Sequence, residues 1–480
     1  MRKAASNLSH KRSDHIGEHS LEDPVYFSSA RAMALALRRR DVSSEELVRA
    51  CLDRIDAVNG ALNAVVQISA EAAIARAREA DAAMARGEMW GPLHGVPMTI
   101  KDSLDTADMI TTGGTKGRAS FVPGRDATVV ARLRAAGAIL LGKTNTPELT
   151  LSFETDNLVY GRTNNPYDLA RTPGGSSGGA AAIVAAGGVP FDIGSDYGGS
   201  IRLPAHFCGI AGIKPSAGRV PRTGHVYPFG GLQDSFQQIG PLARDVDDLI
   251  LILPLIAGPD WIDPAVTPMP WHDPVDVDLA ALRVSFHTDN GVRTPTAETR
   301  RTVEAVAQTL SSTVLSVDEI RPPGVEASYD LCLALYRWDG GAAVSRMLRE
   351  AGTTEHTLQT ITSAKPIPAT QLDRLIAQWY AFRSRMHSFI EHYDAIVCPV
   401  NAGPALPHGA MDAPDALAPF SYTMTYNVVG WPGAVVRAGT SPEGLPIGVQ
   451  IVTRPGREDV ALALARFVET ACGGYQRPAL

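Results

Sequence analysis

Strands alternating with helices along most of the chain predict an α/β fold, one large domain with a mixed, mainly parallel central sheet covered by helices. Three observations carry that reading. Short apolar runs such as 96–100 and 138–141 are bounded by glycine turns and followed by helical periodicity, the pattern of strands feeding helices. A hydrophobic content of 45% with 20% charged residues is that of a globular chain with a sizeable core. Across 480 residues no internal repeat and no linker composition divides the chain.

The elements follow in order. Residues 29–40 carry spaced apolar positions Met33, Leu35 and Leu37. Ser43 and Glu46 form a capping box for a second helix running to about 58, where Asn59-Gly60 is expected to end it. Alanine-rich 70–85 is a third helix. Strand 96–100 delivers Lys101 at its end; helix 126–136 and strand 138–141 follow, then small-residue helix 178–186 and strand 189–193. Proline-rich 254–278 reads as loop. Beyond it come strand 283–286, helix 296–310, helices around 331–349 and 371–392, strand 395–400 and a C-terminal helix over 458–471. The long segment 403–419, with four prolines, suits a lid or pocket-rim loop.

Composition excludes several function classes. A net charge of −7 lacks the basic excess of a nucleic-acid binder. The five cysteines (51, 208, 332, 398, 472) are widely spaced, with no C-x-x-C pair and no zinc-like cluster, which fits a reduced, cytoplasmic setting. The longest apolar stretch, 249–257, is too short to span a bilayer. Residues 1–22 read as a disordered leader, or as residues ahead of a later start, preceding a domain over 23–480. His10, His15 and His19 in that leader make only a weak metal site, and no metal or cofactor is expected.

Three glycine-rich matches compete for the chemistry. GAILLGKT (137–144) is a literal phosphate-loop pattern, but its intervening residues Ala138, Ile139, Leu140 and Leu141 read as a strand rather than a loop able to wrap phosphates. GSSGG (175–179) would make Ser177 a nucleophile of the elbow type, yet no strand precedes it. The third is Ser200 in GSDYGGSIRLP (194–204), after a strand and before a helix, where successive N–H groups can converge on one point. A serine needs a base to take its proton, and glycine-turn amides can hold the oxyanion its attack creates. Lys101 in GVPMTIKDS (95–103) ends an apolar strand that would carry it inward. There burial would lower it from the usual ~10.4 into the range of a usable base. Asp102 beside it either orients the loop or faces solvent.

With these residues the chain resembles the amidase signature family, from about residue 26 to the C-terminal helix. The likeness is densest in GVPMTIKD, GAILLGKTN, TPGGSSGG and GSDYGGSIRLPAHFCGIAGIKP, with GLPIGVQIV (444–452) later, and includes the 24 residues between Ser176 and Ser200. The resemblance implies a Ser–cis-Ser–Lys triad: Ser200 as nucleophile, Ser176 as bridging serine in a cis peptide, Lys101 as base. It implies an oxyanion hole of the backbone N–H groups of Tyr197, Gly198, Gly199 and Ser200, with Ser177, Asp196 and Arg202 in support. Two departures stand out. Tyr197 occupies a position more often held by threonine or a small residue, and His206 replaces a small residue in PAHFCG, where it reads as a core histidine.

By the same resemblance, Thr150, Leu151, Ser152 and Phe153 lie near the acyl pocket. Tyr336, Trp338 and Trp431, together with Trp379, Tyr380, Phe420 and Tyr422, are candidates for an apolar leaving-group site. The expected activity is hydrolysis of aryl or hydrophobic amides, with esters and carbamates (urethanes) accepted. The expected partner is a small-molecule substrate, with no nucleic acid and no membrane; a homodimer is compatible with this. The alternative is the glutaminase subunit of a tRNA-dependent amidotransferase, although 421–432 (SYTMTYNVVGWP) does not closely resemble that subunit. A catalytically silent binding or scaffold protein is the reading from another class, and the intact Lys101, Ser176 and Ser200 argue against it.

Overall fold

Eleven strands hydrogen-bond into one sheet, in a computed structural model that describes residues 24–413 and 415–480. In chain order they are β1 (Val65–Ile68), β2 (Pro97–Lys101), β3 (Ile139–Thr144), β4 (Phe191–Asp196), β5 (Ala211–Lys214) and β6 (Gln238–Ala243), then β7 (Arg283–Phe286), β8 (Ser316–Glu319), β9 (Ala395–Pro399), β10 (Gly433–Thr440) and β11 (Pro446–Thr453). Across the sheet the order is β1-β3-β2-β4-β6-β5-β10-β11-β9-β7-β8. The sheet is mixed, as expected, but its parallel share is smaller than expected. β2 runs parallel to β3 and β4, β7 runs parallel to β8 and β9, and the other neighbours are antiparallel. The middle of the sheet is built partly from tight reversals such as the Ser441–Leu445 turn between β10 and β11, which need no helical crossover.

Every residue of β2, β3, β4, β5, β6, β9 and β11 is buried, so both faces of the central sheet are covered. A second, aromatic cluster packs Phe207, Phe236, Trp379, Tyr426 and Trp431 around the helices Ala369–Ile390 and Ser421–Val428. Trp379 Nε1 donates to the Val428 carbonyl at 2.8 Å and ties these helices together.

Local signals explain most element ends. Ser43 and Glu46 form the capping box of the helix Ser44–Leu62. That helix runs past Asn59-Gly60, because the Asn59 amide oxygen instead accepts the Ala64 and Val65 N–H groups. Asn63 supplies the left-handed end, with φ 50°. The single helix expected over 331–349 is two, Ser328–Arg337 and Ala342–Glu350. Gly340 and Gly341 between them both hold positive φ, and Asp339 caps the second. The apolar stretch 249–257 lies in the helix Val246–Ile256, which accommodates Pro254 in its last turn. No described helix is long and apolar enough to cross a membrane. The leader and its histidines lie outside the described residues.

The parallel pair β2 and β4 matters most for function. Lys101 is the last residue of β2, and β4 ends at Asp196, immediately before the turn 197–200 and the helix Arg202–Phe207. Two chemically loaded segments therefore emerge at the same edge of the sheet.

Candidate active site

Lys101 is fully buried, and its Nζ faces three hydroxyls: Ser176 Oγ at 2.6 Å, Ser177 Oγ at 3.0 Å and Ser195 Oγ at 3.0 Å. No carboxylate touches it. Burial pushes its ammonium well below the ordinary lysine value, against the opposing fields of Asp196 and Asp192. Ser176 and Ser177 come from the glycine-rich loop ahead of the helix Gly178–Ala185, and the Gly175–Ser176 peptide is cis. Ser177 N–H donates to the Ser200 carbonyl at 3.1 Å, which docks this loop onto the turn after β4. Ser177 Oγ donates to the Ser195 carbonyl at 3.2 Å, so its proton is already committed.

The turn itself is held by Asp196. Its carboxylate accepts Gly199 N–H at 2.8 Å, Ile201 N–H at 3.2 Å and Arg202 N–H at 3.4 Å. Arg202 Nε and Nη2 each lie 3.0 Å from it. Burial works against this carboxylate, but the Arg202 guanidinium outweighs it and holds the group far below the usual range. Arg202 also donates to the Thr423 carbonyl and to Gln450 Oε1, and Asn427 bridges Asp196 and Arg202. This corrects one expectation. Gly199 N–H is spent on Asp196 and is not available to an oxyanion. Gly198 and Ser200 N–H have no acceptor among the described residues. The flanking carbonyls are aimed by side chains: Tyr336 Oη donates to the Tyr197 carbonyl at 2.7 Å and Thr423 Oγ1 to that of Gly198 at 2.7 Å.

Ser200 opens into a cavity of ≈ 200 Å³ lined by Thr150, Leu151, Ser152, Phe153, Tyr197, Tyr336, Leu333, Val344, Ile361, Met411, Leu417 and Met424, with Arg337 as its charged group. Tyr197 and Tyr336 stack at 4.9 Å between centroids, and Phe153 stacks on Phe420 at 4.4 Å. A wider outer cavity of ≈ 860 Å³ shares Leu151, Ser152, Arg337, Met411 and Leu417 and adds Glu148, Glu154, Asp156 and His408. Met411 and Leu417 belong to 403–419, so that segment forms part of the rim, as expected.

Sequence reasoning brought the right residues together at the centre and misplaced some at the periphery. Trp338 and Trp431 do not line the cavity. The chain turns away after Arg337 at the glycine break, and Trp431 is buried in the aromatic cluster, its ring edge-on to His387. Trp379 and Tyr422 are likewise spent on packing, Phe420 lies behind Phe153, and Tyr380 is largely exposed. His206 is a core histidine, bonded to the Gly403 carbonyl and the Gly448 N–H. Asp102 is buried against Thr112, and burial raises it to about 6. Residues 139–144 are a strand, and Lys143 Nζ is consumed by the Leu104 carbonyl, Thr106 and Thr111, so no phosphate loop exists there. Sequence reasoning missed Ser195, His225, Thr423 and Asn427. All four are single polar residues that become neighbours only when distant segments fold together.

The Amidase family model matches residues 46–462. Among characterised relatives, a glutamyl-tRNA(Gln) amidotransferase subunit from Moorella thermoacetica is 36% identical, covering 94% of this chain and 98% of its own. Among solved structures, a chain from a vestigial protein complex bearing on the origins of an s-triazine catabolic enzyme superposes with a TM-score of 0.86. It is 30% identical and covers 94% of this chain and 100% of its own. A 6-aminohexanoate cyclic dimer hydrolase complexed with substrate superposes with a TM-score of 0.84, at 27% identity over 95% and 99% of the two chains.

Proposed function

The chain belongs to the amidase signature family, and on that premise we propose that it cleaves a carboxylic amide C–N bond through an acyl intermediate on Ser200. The observation behind this is the 2.6 Å contact of a desolvated Lys101 Nζ with Ser176 Oγ, beside a Ser200 that opens into the cavity. In this reading neutral Lys101 takes the proton of Ser176 as Ser176 takes that of Ser200, whose Oγ attacks the carbonyl carbon. The developing oxyanion meets the Gly198 and Ser200 N–H groups, with Tyr197 N–H alongside. The proton returns through Ser176 to the leaving nitrogen, and water then repeats the relay to release the acid. Ser177, Asp196 and Arg202 support the turn rather than react. No step calls for a metal or an organic cofactor.

For the substrate we favour a hydrophobic amide, aryl or alkyl, with esters and carbamates placing the same carbonyl over Ser200. The support is the lining: aromatic and aliphatic side chains with one guanidinium, and no carboxylate to hold an α-ammonium group. The second reading, the glutaminase subunit of a tRNA-dependent amidotransferase, is favoured by the named relatives, and on sequence likeness it has the stronger support. That reading requires partner proteins, whereas the first needs only a small molecule. A cytoplasmic location belongs to both readings and agrees with five unpaired cysteines.

A panel of p-nitroanilides, an aryl carbamate and glutamine decides between them, run on wild type, Ser200→Ala, Ser177→Ala and Lys101→Ala. The isolated chain is expected to hydrolyse the anilides and to lose activity in the Ser200 and Lys101 variants. Glutamine turnover with silence on every anilide would move the assignment to the second reading. Activity that survived Ser200→Ala and vanished in Ser177→Ala would sink the triad.

A further inference from the structure

Lys101 Nζ has a hydroxyl neighbour that the relay does not use. Ser195 Oγ lies 3.0 Å from Nζ and 3.0 Å from His225 Nε2. The imidazole is delivered there by a strip of chain laid against the residues that follow Lys101. Val226 N–H donates to the Ser103 carbonyl at 2.7 Å, and Asp105 N–H to that of Gly224 at 2.8 Å. Arg222, paired with Asp263 and Asp234, anchors the start of the strip.

The other ring nitrogen fixes the tautomer. Tyr227 N–H, a backbone donor whose direction is not open to choice, points at His225 Nδ1 at 3.0 Å, and the Gln237 amide lies 2.7 Å from the same atom. Nδ1 must therefore offer its lone pair, and the ring proton sits on Nε2, aimed at Ser195 Oγ. Burial first, and the Lys101 charge second, push this imidazole down to about 3, so it stays neutral at working pH.

With one lone pair of Ser195 Oγ filled by the imidazole, its own hydrogen has Lys101 Nζ as the remaining partner. A hydroxyl can donate to an amine lone pair but not to an ammonium. We propose, resting on the reading of Lys101 as the base, that His225 is a positioning residue that acts through Ser195 to hold Lys101 as a neutral amine. When Lys101 accepts the Ser176 proton, the Ser195 hydrogen loses its acceptor. The ammonium is thereby disfavoured, and the proton is released again to Ser176 and the leaving nitrogen.

The other ionisable groups around Nζ act in the opposite sense. Asp192 and Asp196 on β4 both favour the ammonium. The helix Gly178–Ala185 and strand β6, packed against the same strands, carry no titratable side chain. Asp102, next along the chain, is turned to Thr112 and Lys143 to the Leu104 carbonyl, while Arg118 and Arg222 act on the imidazole.

The test is the pH dependence of kcat/KM for wild type, His225→Leu and His225→Gln on one active amide. Leucine removes the donor and glutamine restores an N–H near Nε2. The leucine variant is expected to move the acid limb up by about one pH unit, which lowers kcat/KM roughly tenfold below the midpoint, with KM little changed and glutamine recovering most of it. A leucine variant with the wild-type midpoint, or a glutamine variant no better than leucine, overturns the proposal. Two-bond proton–nitrogen spectra of histidine-labelled wild type test it without any variant. A neutral His225 with its proton on Nε2 from pH 5 to 9 is expected; a proton on Nδ1, or titration within that range, overturns it. Lys101→Ala retaining activity would instead remove the premise that Lys101 is the base.

Discussion

Asp196→Asn tests the heart of the site, because it changes one atom and leaves the volume intact. Asp196 and Arg202 are both fully excluded from solvent, and the carboxylate accepts three backbone N–H groups as well as two guanidinium bonds. The asparagine can keep an oxygen toward Gly199 N–H, but its NH₂ then faces Arg202 Nε and Ile201 N–H, donor against donor. The guanidinium is left buried without a counter-charge. Breaking one side of a buried pair costs about 3–5 kcal/mol, so the variant is expected to lose about that much stability, together with most of its kcat as the turn 197–200 loosens. Urea unfolding at pH 7 and amide turnover on the same preparation measure both. The pH dependence supplies a sign. The folded carboxyl is held below its unfolded value, so its contribution is complete above the ordinary ~3.9 and is lost as pH falls below it; the variant should lack that acid loss. A stability change under about 1 kcal/mol with kcat intact would refute the reasoning.

Three other outcomes follow from the same geometry. Lys101→Met should abolish turnover yet raise stability at neutral pH. Burial depresses the folded lysine, so the unfolded chain binds the extra proton and wild-type stability rises with pH; the methionine variant should lose that slope in urea titrations at pH 6 to 9. Tyr336→Phe removes the 2.7 Å bond that aims the Tyr197–Gly198 peptide, and kcat should fall about fivefold with KM nearly unchanged, since the stacked ring remains. Gly199→Ala should be inactive however well it folds. Gly199 sits at φ 135°, and an added Cβ would stand 2.2 Å from Thr423 Oγ1, so the turn must shift; an active alanine variant would show that the turn tolerates displacement.

Much of the fold was legible because its signals are local. The Ser43 capping box, the alanine-rich helix Ala70–Ala85 and the apolar strand ahead of Lys101 each depend on a few adjacent residues. Errors came where a local signal was overridden at a distance. Asn59-Gly60 reads as a stop, but Asn59 is recruited by the chain beyond the helix. Strands β5, β6 and β8 are short and bear no alternation, and only their neighbours in the sheet make them strands.

The site divides along the same line. Lys101, Ser176 and Ser200 announce themselves by the glycine-rich sequence around them, since a tight turn must be written into the residues that make it. What the triad's protons do is set by side chains with no such mark. Ser195 and His225 stand 30 residues apart, and Thr423 and Asn427 lie on a helix more than 200 residues from the turn they hold. Trp431 was placed at the cavity because an aromatic ring carries no information about which of two apolar environments it will fill. Backbone geometry is decided by neighbours in sequence and was readable there. The protonation of Lys101, the loss of Gly199 N–H to Asp196 and the lining of the cavity depend on burial and on contacts between distant segments, and only the tertiary structure brought those together.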